Sequence, residues 1–568
     1  MLETGGGLRP RKRSKTRGRT PGLRRIGILL LPLIFMVLSG CGTPKETEFL
    51  TVSPATLTLR LGETRIFSAS LGSGGSVPVT WAVSGAIGGD ATHGVITEEG
   101  TYTAPPALSE TNLIPNVIHV QATAEGVEGG SASVHLTTFQ ENQILSAEPG
   151  ASFAAFRADT RSGGQSNIAV FGDRIHVVWS DNRAGTSDSS VYLQTSTDGG
   201  TTFGIPILAN SATPLGNQTH PAIAVHPVSG DNYEIFVVWE DTWKEDTTGD
   251  ADIYFSKSVD GGLTFSSRQR VNDDTGAVNQ TTPAMAVTPD GTLYVAWEDN
   301  RNPSQTSPQQ NTDIYLAVSD DGGITFPNHR VTGGEENAPQ TRQVSPALAA
   351  DLQGRVYLAW EDQPFLSSLN MNLVTHDEDG NVTISDPVLV ASDADPDLPA
   401  NTTQVHPALT VASDRGIFVV WESAKLQFTT PTSYDIYLTG SPLPDSSNEL
   451  SFSPPIRVNR LGTGGLYGGW AYPAITSDEN GILYLAWEDS RNGFGDQDIY
   501  ATRITGDLNS DSIETARKVN DDSGTWQEKP GIAVRDGKAF VIWSDYRNNP
   551  SSTCSPQTCP NDIYSATE

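Results

Sequence analysis

The chain has 568 residues, with 36 basic against 67 acidic side chains, a net charge of −31 and three cysteines. That length asks for more than one domain. So acidic a chain excludes nucleic acid and anionic lipid as partners, because Lys and Arg must neutralise phosphates there.

In chain order, residues 9–25 are dense in Lys and Arg, and an apolar run fills 26–38. This is the layout of an export signal, too short to span a bilayer as a mature helix. The run closes on Leu38-Ser39-Gly40-Cys41, which resembles the lipobox of bacterial lipoproteins. The resemblance implies cleavage after residue 40 and a diacylglycerol on Cys41; the other reading is an uncleaved anchor or a chance cysteine. Residues 41–47 become a lipidated tether. The expected location is the cell envelope, with Gly42 favouring the outer membrane or cell surface, and membrane contact only through the lipid. Without residues 1–40 the chain keeps 27 basic and 66 acidic residues, a net charge of −39. Such a surface supports solubility and leaves room for divalent cations.

Residues 48–136 alternate in short runs (LTLRLG, RIFSASL, VTWAV, VIHVQATA) broken by Gly and Pro, which predicts a β-sandwich. Trp81, the turn Gly100-Thr101-Tyr102-Thr103-Ala104-Pro105 and the late strand resemble the group 2 bacterial Ig-like domain. The resemblance implies a spacer or adhesive module.

From 137 to 568 the chain repeats. An apolar run ending in Trp recurs seven times, at Trp179, Trp239, Trp297, Trp360, Trp421, Trp487 and Trp543, in steps of 56 to 66 residues. A fixed period of this size marks a solenoid or propeller. A second apolar run precedes each (HPAIAV, TPAMAV, SPALAA), and Asp-Ile-Tyr, then SxDGGxTF, then a run such as Arg-Val-Asn follow. That makes four strands per repeat. Two of them are apolar throughout, which suits strands covered on both faces, as in radial blades. The fold expected is all-β: an Ig-like β-sandwich followed by a seven-bladed β-propeller of four-stranded blades. The last repeat lacks a fourth strand. Residues 137–147 (TTFQENQILSA) match 201–210 (TTFGIPILAN), so 143–146 are expected to pair with 562–566 and close the ring.

SxDGGxTF (196–203, 258–265, 319–326) resembles the Asp-box of sialidases and related propellers (the BNR repeat). The resemblance implies a fold marker, on the face away from the active site. In physical terms Asp198, Asp260 and Asp321 accept turn amides, the glycine pairs permit positive φ, and Phe203, Phe265 and Phe326 plug the seam between sheets.

The opposite face gathers Asp181, Glu240, Asp241, Glu298, Asp299, Glu361, Asp362, Glu422, Glu488, Asp489 and Asp545, with Arg183, Arg301, Arg491 and Arg547. Three readings apply. Each Asp-x-Arg braces its own loop, pairing with the Asp of Asp-Ile-Tyr or with a neighbouring blade. Alternatively, loop carboxylates hold Ca²⁺, with Asp299 and Asp489 as candidates. The third is a sialidase-like site, for which no Arg-Ile-Pro motif stands near the start of the propeller. No cofactor is required by any motif. Symmetry breaks at Trp243, Phe365, Trp470, Tyr472 and Trp526, and flat aromatics on a polar rim suit sugar faces or a protein partner. These five, with Arg301 and Arg491, are the ligand-contact candidates; the rings can equally fill the channel or shield a seam. Cys554 and Cys559, four residues apart in a polar loop, are expected to form a disulfide in an oxidising compartment.

The leading function is a monomeric surface lipoprotein whose propeller binds an extracellular glycan or protein without catalysis, the Ig-like domain serving as stalk. The alternative is an exo-acting, sialidase-like glycosidase. Fold alone does not choose between them.

Overall fold

The computed structural model describes residues 48–106, 117–139, 142–146, 167–181, 189–210, 216–242, 250–302, 312–332, 342–363, 367–377, 379–412, 415–427, 430–445, 448–459, 471–491, 497–521, 526–547 and 562–568. Among them every regular element is a strand. The export signal, Cys41, Cys554, Cys559, Trp243, Phe365 and Trp470 lie outside the described residues.

The first strands make a sandwich. Val117–Ala124 pairs antiparallel with Thr80–Val83 and Val127–Thr137, and Thr56–Arg60 runs parallel beside the latter. The second sheet joins Thr64–Ile66, Thr101–Thr103, Gly94–Ile96 and Gly89–Asp90. Period-two alternation fills the space between with Trp81, Val83, Val120, Ala122, Val134 and Leu136. The Gly-Thr-Tyr turn has a steric reason. Gly100 takes φ +85°, and a Cβ there would meet the Trp81 ring and the Phe67 carbonyl. Tyr102 is fully buried, and its hydroxyl donates to the His93 carbonyl at 2.7 Å.

Apart from the antiparallel pair Leu50–Ser53 and Ser68–Leu71, the remaining strands form seven antiparallel sheets in succession. The second, for example, runs Gln218–Ser229, Asn232–Asp241, Asp252–Ser258, Gln269–Arg270. The fourth adds Val388–Ala391 against Ser368–His376. The first strands of neighbouring sheets touch around a closed circle, a propeller arrangement with a central channel. Each second strand is sandwiched between neighbouring sheets, which is why its residues are apolar without alternation. Trp179, Trp239, Trp297, Trp421, Trp487 and Trp543 are all fully buried, and truncating one to Ala would cost about 3–5 kcal/mol.

The seventh sheet is made from both ends of this region. Gln527–Arg535, Lys538–Asp545 and Asp562–Thr567 are followed by Gln143–Ile144, with Gln143 opposite Ser565 and Ile144 opposite Tyr564. Leu145 N–H donates to the Ile563 carbonyl at 2.7 Å, and Ser146 Oγ to Asp562 Oδ1 at 3.0 Å. The expected pairing of 143–146 with 562–566 is present. The sandwich abuts this clasp. Thr137 Oγ1 donates to the Lys518 carbonyl at 2.8 Å, and Arg60 Nε to the Phe139 carbonyl at 3.3 Å. Phe139 itself is buried among side chains of the sixth and seventh sheets.

The SxDGGxTF turns behave as structural devices. Asp198 accepts from Thr202 N–H and Ser196 Oγ, both at 2.8 Å, and its Thr202 bonds hold the carboxyl down to about 2. In Asp260 and Asp321 burial pulls the carboxyl up, but the equivalent bonds outweigh it and the value again falls to about 2. The second glycine has a further reason. A Cβ on Gly262 would stand 2.7 Å from Leu193 of the first sheet, and one on Gly323 would collide with Phe255 of the second. The turn phenylalanine fills the same seam: Phe326 meets Phe255 edge-on at 5.3 Å.

Candidate functional site

At the other end, Trp-Glu-Asp closes the second strand of four of the sheets; the first and seventh have Trp-Ser-Asp there and the fifth Trp-Glu-Ser. Strand alternation puts Trp and Asp on one side and Glu on the other. The two carboxylates therefore do different work.

The Asp side is a rivet. Trp297 Nε1 donates to Asp299 Oδ2 at 2.8 Å, and Arg301 Nε donates to the same oxygen at 2.9 Å. Arg301 lies 4.2 Å over the Tyr315 ring, and its NH1 reaches back to Asp273 of the preceding sheet at 2.5 Å. The seventh sheet repeats this with Trp543, Asp545, Arg547, Tyr564 and Asp521. The sixth does so with Trp487, Asp489, Arg491 and Tyr500. Arg301 and Arg491, candidates for ligand contact, are thus engaged as braces. Of the two partners expected for such a brace, the neighbouring blade is the one Arg301 reaches, through Asp273, and each arginine also grips the Asp two residues before it. The Asp of Asp-Ile-Tyr is held from the fourth strand, as Asp313 is by Arg330 at 2.9 Å and buried Asp498 by buried Lys518 at 2.7 Å. The second sheet has no arginine after its Trp-Glu-Asp. There Arg268, arriving from the fourth strand, pairs with Asp241 at 2.9 Å and lies over Tyr254. Asp299 and Asp489 are fully buried with their oxygens engaged by Trp and Arg. Among the described residues no group of three His, Cys, Asp or Glu is placed to hold a metal ion.

The Glu side faces the channel mouth and reaches forward to the next sheet. Glu240 accepts from Thr282 N–H at 3.3 Å, Glu298 from Ser345 at 3.0 Å, and Glu361 from His406 at 2.6 Å. Glu422 accepts from Ala471 at 2.5 Å and Tyr472 at 3.1 Å, and Glu488 from Lys529 at 2.6 Å. All but Ala471 precede a proline and hold positive φ, between 37° and 56°. His220 shares that conformation in the second sheet. Five of these six positions, all but Tyr472's, fall at register shifts between the first and second strands. Left-handed backbone in a non-glycine residue is strained, and the buried carboxylate on its N–H secures it. Burial raises the Glu298 carboxyl, with Glu361 adding to it; burial and then Glu528 raise that of Glu488 well above its ordinary value.

The side chains at these six mouth positions are two imidazoles, two hydroxyls, a phenol and an amine: His220, His406, Thr282, Ser345, Tyr472 and Lys529. His220 Nδ1 stands 2.7 Å from Glu240, and His406 Nδ1 stands 3.6 Å from Glu422. The rings of His406 and Tyr472 meet with centroids 4.6 Å apart. Tyr472 is the sequence candidate that the structure sets at the mouth. Trp526 stands at the same end of the seventh sheet, its carbonyl accepting from Tyr546 N–H at 3.0 Å. The histidines and the glutamate ring were not singled out from the sequence. Period-two alternation within Trp-Glu-Asp would have separated Glu from Asp. At its other end the channel holds a cavity of about 520 Å³ lined by Val225, Val287, Leu352 and Val411 among others.

A scan of protein-family models and a search of curated proteins give no match. Among solved structures, the α-L-arabinanase of Penicillium chrysogenum complexed with arabinobiose is 18% identical, with a TM-score of 0.41, covering 62% of this chain and 93% of that one. The polysaccharide lyase Uly1 is 13% identical, with a TM-score of 0.46, covering 74% and 93%. A protein of unknown function from Dyadobacter fermentans is 12% identical, with a TM-score of 0.40, covering 75% and 97%. These are distant likenesses, and what this chain does rests on its own residues.

Proposed function

We propose that the chain is an exported lipoprotein, anchored through Cys41, whose seven-bladed propeller of Asp-box repeats binds an extracellular glycan without catalysis, carried on an Ig-like stalk. One observation supports this most. Arg301 and Arg491, which with Arg183 (outside the described residues) a sialidase-like clamp would draw on, are each tied to a buried Asp and laid on a Tyr ring, as is Arg547. Side-chain variety is concentrated instead at the channel mouth, on a frame the repeats share. A repeat whose shared frame carries varied side chains there suits recognition. Tyr472, Trp526 and the histidines supply flat or amphipathic faces for sugar rings. Export to an oxidising compartment also supports a Cys554–Cys559 disulfide, which free-thiol titration without reductant would refute by finding two reactive thiols.

The deciding measurement is a panel of fluorogenic sialosides and aryl glycosides beside a glycan-binding array. Binding without turnover, weakened by Tyr472→Ala, is the expected result. Turnover abolished by Arg301→Ala or Tyr472→Phe would establish the sialidase-like glycosidase instead.

A further inference from the structure

The mouth between the fifth and sixth sheets has an unsatisfied acceptor. Glu422 is fully buried. Its Oε2 takes the N–H groups of Ala471 and Tyr472, while its Oε1 has no hydrogen-bond partner among the described residues. A buried carboxylate oxygen without a donor is costly, so a donor supplied from outside is strongly favoured there. Glu488 across the seam feels both Glu528 and Glu422. Among the described residues the cations recorded beside this group are Lys529, 3.7 Å from Glu528, and His406 if protonated. Beside the carboxylate stand two aromatic rings, His406 and Tyr472, and both keep part of their surface exposed. A buried carboxylate flanked by aromatic faces is the chemistry that recognises an ammonium group, which gains both ion pairing and cation–π attraction.

We infer that this mouth takes the protonated amine of an amino sugar, so that the glycan is an amine-bearing one and not an anionic one. The inference rests on the glycan-binding reading and narrows it. A carboxylated sugar would meet Glu361, Glu422, Glu488 and Glu528, while Arg301, Arg491 and Arg547 are held in ion pairs and Arg342, the exposed arginine at this end, acts on Glu298. Thr282 and Ser345, elsewhere on the rim, are hydroxyl-bearing and suit the neutral sugars on either side.

Titration calorimetry of the full chain with a glucosamine tetrasaccharide, its fully N-acetylated form, an oligogalacturonate and a lysine-containing tetrapeptide tests this. The free-amine sugar should bind at least about tenfold more tightly than the acetylated one, with the oligogalacturonate weakest. Glu422→Gln keeps an acceptor for Ala471 and Tyr472 and should remove most of that preference. Added salt should weaken the free-amine arm in the wild type and leave the acetylated arm unchanged, a readout that stands even where the variant fails to fold. Equal binding of the two tetrasaccharides, or an unchanged preference in a folded Glu422→Gln, overturns the inference but leaves glycan binding in place. Tighter binding of the lysine peptide than of any sugar overturns the assignment to a glycan. Absence of binding in every sugar arm overturns both readings.

Discussion

Glu298 and Asp299 are adjacent in sequence, yet one belongs to a forward clasp and the other to a backward rivet. Asp299 ties Trp297 and Arg301 and, through Arg301, the preceding sheet; Glu298 ties the left-handed Ser345 of the following sheet. On the rivet side the residue types recur from sheet to sheet, and where the arginine is missing Arg268 replaces it from another strand. On the clasp side the backbone recurs and the side chains do not. The difference teaches that shared chemistry marks the frame, while shared backbone with unshared chemistry marks the surface free to specialise.

Four experiments would break or sharpen that contrast. Deleting residues 142–146 removes the outer strand of the seventh sheet and the buried Leu145. It should cost at least about 4 kcal/mol by chemical denaturation, more than removing any one rivet. Arg301→Ala leaves the buried Asp299 carboxylate without its cation, and a loss of about 3 kcal/mol is expected with glycan affinity unchanged. Altered affinity in a folded variant would move Arg301 from frame to binding surface.

Glu488→Gln acts in the opposite direction. Its carboxyl is raised by burial, so the folded state resists its ionisation. That penalty is absent below the ordinary carboxylate range and grows as pH rises through the raised value. The variant should therefore be more stable than the wild type by about 1 kcal/mol at pH 8, with the difference fading by pH 4. A stability loss at pH 8 would show that attraction to Lys529 outweighs burial. The smallest effect concerns backbone alone. Thr282 holds φ +56°, and Thr282→Gly should gain up to about 0.5 kcal/mol while keeping the N–H to Glu240. A loss there would mean that the hydroxyl, and not the left-handed backbone, is what the position requires.

Much of the frame was readable from the sequence because it repeats. Seven Trp runs, the order of four strands and the match between TTFQENQILSA and TTFGIPILAN all carry through to the sheets observed. The part played by SxDGGxTF was readable because Asp, Gly and Phe each answer a local need of a turn. What was not readable depends on contacts between sheets. Arg268 replaces an arginine some 25 positions away in sequence, a relation only the folded seam creates. Positive φ before Pro is invisible in strings such as HPAIAV, which read as ordinary strand starts. Tyr472 stood out because an aromatic interrupts a polar series. Glu422 did not, since its orphaned oxygen arises from what surrounds it.

The clasp of Gln143–Ile144 on Asp562–Thr567 also sets an order of events in time. It joins stretches more than 400 residues apart, so it is the contact of longest reach in the ring and gains nothing until almost the whole chain has been made. The sandwich strands, by contrast, are near one another in sequence and complete early. Contacts of such long reach are slow to form because the intervening loop must first be closed, although the entropic cost of closure rises only slowly with its length. The seventh sheet is therefore where a nascent chain waits: six sheets can stack on their neighbours while Gln143–Ile144 stays unpaired until Asp562–Thr567 arrives, and the ring becomes a ring only at its final step.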